Sequence, residues 1–478
     1  MDLIWSQRNL GSLCKGHTPH ELVFVIVDAV VPDEVKDLIS KCSPSLYKRY
    51  HYLEVHQGLD QDGRALVICN WLENGKSSLE RRWLFRKAVA GVRKVFGLKK
   101  WLVHLPGNVT PIQIAMAEDL YFQGVKPFGD HHELESIEIA GVGLGASRDM
   151  IRFAGLKEYR KWINENPDDL TSKEIDTRLS QFAREQGCDY RVLKSSELRE
   201  ERCNLLLAVG GASDISPPRL MTVSKNLTKG EKPLVLIGKG ITFDTGGINV
   251  KPFDSFVNCM KNDMGGAALM ANLFMSLVRA GYNKPIVLVI PACENLVAQG
   301  SMKPGVVVKS RAGKEVFIEH TDAEGRLVLA DAIDYACENF DPSKIWVAAT
   351  LTTAALRQFT GYFTPVHFGD QSLTEGLGRV SQNWGEGFRF WDEFLPFSDG
   401  NNTAAGDITN MGRLPGKASI GGGSSVAAHF LKSFSDVPLV HFDIFASAWN
   451  WSGDYPGAGY GATGAPFNSL FSFLWESA

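Results

Sequence analysis

No stretch of this 478-residue chain comes near the roughly 18 consecutive apolar residues that a membrane-spanning helix needs. The first twenty residues hold no continuous apolar core, so a secretory leader is not expected. They are poor in acids and carry Arg8 and Lys15, which leaves room only for a short organellar presequence. The eight cysteines are scattered, with no CxxC pair. Reduced thiols in a cytoplasmic protein are expected, and neither a disulfide framework nor a cysteine-type zinc site is. There is no surplus of positive charge: the net charge is −4, so neither nucleic acid nor an anionic membrane is an expected partner. HExxH is missing, because His131-His132-Glu133 does not continue to a second histidine at the required spacing, and this disfavours a one-zinc peptidase. The phosphate-loop pattern GxxxxGK[ST] is missing too.

What is present is the composition of a globular protein, 44% hydrophobic and 22% charged. Its length exceeds one ordinary core, so two domains are expected. Strands are predicted at 21–28, 65–71, 101–105 and 136–142, with helices opening at Pro32 and covering 77–96 and 112–122. The run 120–124 (LYFQG) looks like a cleavage-tag fragment but lies inside a plausible helix, and is read as native sequence. A connector helix is predicted over 195–209. Beyond a Gly/Ser/Pro-rich break, strands at 234–238, 286–291, 345–351, 366–369 and 439–445 alternate with helices at 265–280, 327–340 and 422–434. The fold class is therefore α/β in two domains. A smaller N-terminal α/β domain covers 1–190, with an oligomerising or regulatory role, and a larger catalytic α/β domain covers 191–478. The central sheet of the second is mixed and largely parallel, and function is expected at the carboxyl ends of its strands.

Three stretches there carry chemistry. Lys239, Asp244 and Lys251 lie at or just past the end of the strand 234–238, among glycines 238, 240, 246 and 247. Asp263 precedes a helix that is apolar nearly all round, where a simple N-cap would account for it. In Thr321-Asp322-Ala323-Glu324-Gly325-Arg326, an extended backbone would point Asp322, Glu324 and Arg326 to one face. Leu327, Ala330, Ile333 and Ala336 then start a core-facing helix. Taken alone, this stretch reads as an exposed, salt-bridged turn. Taken together, Asp244, Asp263, Asp322 and Glu324 are four carboxylates at strand ends or helix starts of one α/β unit. They could not all stay ionised in a partly dry site without cations. Two divalent ions would balance them, and zinc or manganese suits such an oxygen-rich shell.

In order and spacing, GKGITFDTGG, MKNDMGG and HTDAEGRL resemble the leucyl aminopeptidase family of dinuclear metallopeptidases. Ala292-Cys293-Glu294-Asn295, Thr350-Leu351-Thr352, Gly406 to Asn410, His441 to Ile444 and Gly461 to Gly464 extend the likeness over about residues 200–478. The resemblance implies two metals per subunit, zinc or manganese. Lys239 would be a neutral amine ligand, Asp244 and Glu324 would bridge, and Asp263 and Asp322 would complete the tighter and the looser site. A water between the metals would be the nucleophile. Lys251 would polarise the scissile carbonyl, and Arg326 would hold a bicarbonate that acts as base. The implied substrates are peptides trimmed at the N-terminus, and the implied assembly is a homohexamer of two trimers. Met260, Met264, Thr350, Leu351 and Thr353 would lie near the pocket for the first side chain, although plain core packing accounts for a methionine equally well. Two positions depart from the family pattern: His320 stands where asparagine is usual and Thr353 where glycine is usual. Neither removes a ligand. The rival readings are a weakly active or inactive scaffold of the same fold, and a dinuclear hydrolase acting on phosphoesters.

Overall fold

In the computed structural model the described residues are 2–6, 21–27, 43–50, 53–59, 65–71, 77–89, 100–124, 136–142, 147–412, 422–451 and 460–477. Contacts divide the chain into two compact units. The first comprises 1–153, 378–387 and 450–461; the second comprises 154–377, 388–449 and 462–478.

The first unit holds a seven-stranded sheet in the order β1-β7-β6-β2-β5-β4-β3. Its strands are β1 (Asp2–Ser6), β2 (Glu21–Val27), β3 (Ser43–Tyr50), β4 (Leu53–Leu59), β5 (Ala65–Trp71), β6 (Lys100–Asn108) and β7 (Ser136–Val142). Helices α1 (Ser78–Val89) and α2 (Pro111–Gly124) accompany it. In α2, Leu120, Tyr121 and Phe122 are buried, so the tag-like run is part of a native core. Asp119, also on α2, takes Arg82 and Arg86 of α1 in buried ion pairs at 2.8 Å. The helix expected at Pro32, and the end of the helix expected over 77–96, lie outside the described residues.

The second unit begins with the end of α3 (Ser147–Asn164) and α4 (Ser172–Gln186). The amphipathic α4 buries Ile175, Leu179 and Phe182, and the Phe182 ring meets Phe274 edge-on. Both helices thus precede residue 191, where the sequence suggests the division. The connector expected over 195–209 is two helices, α5 (Ser195–Glu200) and α6 (Asn204–Gly210), broken where Arg202 takes a positive φ of 59°.

A nine-stranded sheet forms the centre of this unit, in the order β17-β16-β19-β15-β10-β12-β9-β8 with β11 beside β12. The strands are β8 (Asp189–Leu193), β9 (Arg219–Lys225), β10 (Leu234–Gly238), β11 (Gly240–Asp244), β12 (Ile286–Asn295), β15 (Lys344–Ala349), β16 (Phe363–His367), β17 (Gly387–Trp391) and β19 (Leu439–Asp443). Between them a small sheet joins β13 (Val307–Lys309), β14 (Glu315–Phe317) and β18 (Ile408–Thr409). Strands β12, β10, β15 and β19 run parallel, while β9 and β16 are antiparallel to their neighbours. The sheet is mixed and largely parallel, as expected.

Two helices set the site. Every residue of α7 (Gly265–Ala280) from 265 to 278 is buried, which is why its pattern is apolar all round. It can lie against the sheet because its second residue is glycine: a Cβ on Gly266 would stand 2.1 Å from the Ala348 carbonyl oxygen. Helix α8 (Gly325–Phe340) is buried along most of its length. Within it, Asp331 is wholly buried and accepts the backbone N–H groups of Leu205 (2.8 Å), Leu206 (3.1 Å) and Arg311 (2.9 Å). Burial nevertheless lifts its pKa to about 7, the N–H groups offsetting only part of that cost.

This has a pH signature. The folded state binds the Asp331 proton more tightly than the unfolded chain, so stability from this group is fullest below roughly pH 4 and falls as the pH rises toward 7. Urea midpoints measured across that window should decline in the parent. Asp331→Asn should start lower, having lost one acceptor, and lack that share of the decline. Parallel curves would remove Asp331 as the cause.

Candidate metal centre

The carboxyl ends of the parallel strands supply one wall of a cavity of about 660 Å³. Lys239 follows β10 directly, Asp244 closes β11, Thr350 follows β15 and Asp443 closes β19. The 3₁₀ turn Val257–Met264 delivers Asp263, and the loop before α8 delivers Asp322 and Glu324. Lys239, Asp244, Lys251, Asp263, Asp322, Glu324 and Arg326 all line this cavity, as do Met260, Thr350, Leu351 and Thr353. Met264 does not; it packs in the core.

Two local expectations change. The stretch 322–326 is not extended: α8 starts at Gly325, with Glu324 already in right-handed helical conformation. Asp322, Glu324 and Arg326 converge through a turn leading into a first helical turn, not through strand alternation. Nor is Asp263 an N-cap. Met264 occupies that position, and the Asp263 carboxylate turns instead to Lys239 and to the Thr350 hydroxyl, which donates at 2.9 Å.

One oxygen from each of Asp244, Asp322 and Glu324 lies within 4.8 Å of the others. Two ammonium groups answer them. Lys239 Nζ sits 2.8 Å from Asp263 Oδ2 and 2.9 Å from Glu324 Oε1, and donates to the Thr350 carbonyl at 3.1 Å. Lys251 Nζ lies 2.8 Å from Asp244 Oδ2 and also pairs with Asp322 Oδ1. Burial would favour the neutral amine at both lysines, but the facing carboxylates outweigh it and hold both above the usual lysine range. Burial, with Asp244 as neighbour, pushes Asp322 and Glu324 up to about 7, and burial raises Asp263 as well. Two lysines do not neutralise three buried acids and the half-buried Asp322, and Glu324 Oε2 is buried with no hydrogen-bond partner. A hard divalent cation fits this donor set: it would take up the orphaned oxygen and the surplus charge together.

The loops that carry these groups are laced to each other. Asp244 Oδ1 accepts from the Gly246 N–H and the Asn295 amide, both at 2.8 Å, which leaves Oδ2 for the cluster. The Thr321 hydroxyl donates to the Gly246 carbonyl at 2.6 Å, and the Thr321 N–H donates to Asn249 Oδ1 at 2.9 Å. The Asn410 amide donates to the carbonyls of His320 and Ala323 at 2.7 and 3.2 Å. Gly246 and Gly247 take positive φ of 88° and 64°, the freedom that their turn requires. Gly325 serves by its size: a Cβ there would stand 2.6 Å from Lys239 Nζ. The supporting roles of Thr321, Asn249 and Asn410 were not read from the sequence, where polar loop residues carry no periodic signal.

Arg326 is held differently. It is buried, its Nε has no hydrogen-bond partner, and burial brings its pKa down to about 10 against the pull of Glu324 and Asp443. His320 lines the cavity and accepts the Asp322 N–H on Nδ1 at 3.2 Å; burial lowers its pKa.

Fold and site define a class: an α/β protein with a mixed, mainly parallel sheet and, at its strand ends, a largely buried carboxylate cluster whose donors suit divalent cations. The chain belongs to the cytosol aminopeptidase family, whose catalytic-domain model matches residues 157–471. It is 37% identical over 298 residues to a probable cytosol aminopeptidase of Hydrogenovibrio crunogenus, a match covering 62% of this chain and 58% of that protein. With the one from Acidovorax ebreus it shares 37% over 327 residues, covering 68% and 63%. With the one from Synechococcus sp. (strain WH7803) it shares 32% over 366 residues, covering 76% and 70%. The chain thus spans about three fifths of the length of the first two relatives. Among solved structures, the bottromycin maturation enzyme BotP superposes with a TM-score of 0.76 at 25% identity, covering 96% of this chain and 99% of that one. BotP in complex with Mn gives 0.77 at 24% identity, covering 96% and 100%.

Proposed function

We propose that the chain is a metal-dependent aminopeptidase that removes N-terminal residues from peptides, working with two divalent ions per subunit, manganese or zinc. The observation that carries this is the cluster of Asp244, Asp322 and Glu324 with its orphaned Glu324 oxygen, joined by Asp263 in the same cavity and beside an arginine with a free donor. In this reading Asp244, Asp263, Asp322 and Glu324, with Lys239, would hold the two ions. Bound there, the ions supply Lewis acidity, polarising a carbonyl and acidifying water.

The chain's own groups do the rest. Lys251, held above the usual lysine range by Asp244 and Asp322, would bring a positive charge to a carbonyl oxygen that gains negative charge. Arg326 offers unspent N–H donors to a small planar anion, and bicarbonate acting as proton acceptor fits that role. Lys239 is an ammonium when it faces only carboxylates. A divalent ion on the same carboxylates reverses the charge that it meets, which favours the neutral amine of a ligand. Thr350 ties Asp263 through its hydroxyl and Lys239 through its carbonyl, joining the cleft wall to the cluster. A cytosolic location and a homohexamer belong to the same reading.

A panel of aminoacyl p-nitroanilides, assayed after chelation and again with Mn²⁺, Zn²⁺ or Co²⁺, tests the proposal. Release should be lost on chelation and restored by at least one metal. A flat response from folded protein under every condition would sink it.

A further inference from the structure

The carboxylate cluster occupies one side of the cavity, and a short helix forms another wall. Helix α9 (Thr353–Phe359) presents Thr353, Ala354, Arg357 and Gln358 to it. Positions i, i+1, i+4 and i+5 make one stripe of a helix, while Ala355 on another side is buried. Arg357 is exposed to the cavity water and has no hydrogen-bond or ion-pair partner among the described residues. The helix is anchored at its start. Thr352 accepts the Ala355 N–H and donates its hydroxyl at 2.6 Å to the buried Asp443. Asp443 also accepts the N–H groups of Leu351 (3.3 Å) and Thr352 (3.4 Å) and the Ser424 hydroxyl (2.7 Å). The start of the helix that carries Arg357 is thereby anchored on the wall of the cavity that the acids, Lys239, Lys251 and Arg326 also line.

The Arg357 fork, unpartnered among the described residues, matches a carboxylate in shape and charge. Building on the aminopeptidase reading, we propose that Arg357, with Gln358 beside it, makes the cavity select peptides that carry a carboxylate within reach of α9. The carboxylate could be the free C-terminus of a short peptide or an acidic side chain.

The test compares kcat/KM for Leu-Gly against Leu-Gly amide, and for Leu-Glu amide against Leu-Gln amide, in the Mn²⁺-loaded protein and in Arg357→Ala, Arg357→Lys and Arg357→Glu. Melting curves check that each variant is folded. The parent should favour the acid by roughly fivefold, the scale of a solvent-exposed ion pair. That ratio should survive in part in Arg357→Lys, approach one in Arg357→Ala, and invert in Arg357→Glu. Movement in the first pair alone identifies the C-terminus, and movement in the second alone identifies a side chain. A ratio unchanged between parent and Arg357→Glu overturns the assignment. If folded, loaded protein hydrolyses neither these peptides nor Leu-p-nitroanilide, the aminopeptidase reading fails by itself. Arg357 is then judged by calorimetry with the reduced-bond dipeptide Leuψ[CH₂NH]Gly and its amide. Tighter binding of the acid, lost in Arg357→Ala, supports the contact; equal binding in the parent overturns it.

Discussion

Glu324→Gln should cost more than about 100-fold in kcat/KM, because loss of a mere outer-shell partner already costs up to that. The amide keeps the size of the side chain and loses both the charge and one oxygen donor. The distinctive part of the expectation lies in stability. In the metal-free protein Glu324 is a buried acid beside Asp244 and Asp263, with one oxygen unpaired; glutamine keeps an oxygen for Lys239, which Asp263 also pairs, so the neutral replacement should leave the melting temperature unchanged or raise it. The melting temperature of the parent should rise with added Mn²⁺, since a ligand that binds only the native state stabilises it by mass action. In Glu324→Gln that rise should shrink or vanish. Calorimetry with and without Mn²⁺, run beside the peptidase assay, separates these outcomes. A variant that is destabilised without metal yet binds Mn²⁺ normally would show Glu324 to be structural.

Lys251→Met should lower kcat by about 10²–10³, the loss seen when one preorganised group facing a developing oxyanion is removed. Its metal response should run opposite to that of Glu324→Gln. Lys251 competes with any cation for Asp244 and Asp322, so removing it should leave Mn²⁺ affinity equal or tighter. Equilibrium binding and steady-state kinetics on one preparation decide the matter. Weak metal binding in Lys251→Met would mean that the lysine supports the site instead of acting on substrate.

Much of the second unit was legible because its signals are strong and local. Helix α7 runs over 265–280 as its unbroken apolar pattern indicated, and β10 ends at Gly238 with Lys239 beyond it. Other features depended on contacts distant in sequence. Strand β9 is held by antiparallel pairing to β12, a partner some sixty residues away, and it went unread. Strand β11 carries no strand signal in the sequence, where 240–244 only follow the strand 234–238 among glycines. Gly240 instead fits closely against β12, where a Cβ would meet the Pro291 carbonyl oxygen at 2.7 Å. The residue types of the centre could be listed from its three motifs. How the loops lock could not, since the Thr321–Asn249 and Asn410–His320 bonds join segments that share no periodicity.

Gly325 shows the opposing demands on such a centre. Gly325 is the first residue of α8, and glycine is a poorer helix former than alanine. The space that an alanine methyl needs is taken by the end of the Lys239 side chain. At this one position the chain can have the more stable helix or the amine beside Glu324, but not both. Selection for thermal robustness alone would therefore act against the metal centre here, and a survey of stabilising substitutions that also requires activity should find position 325 closed.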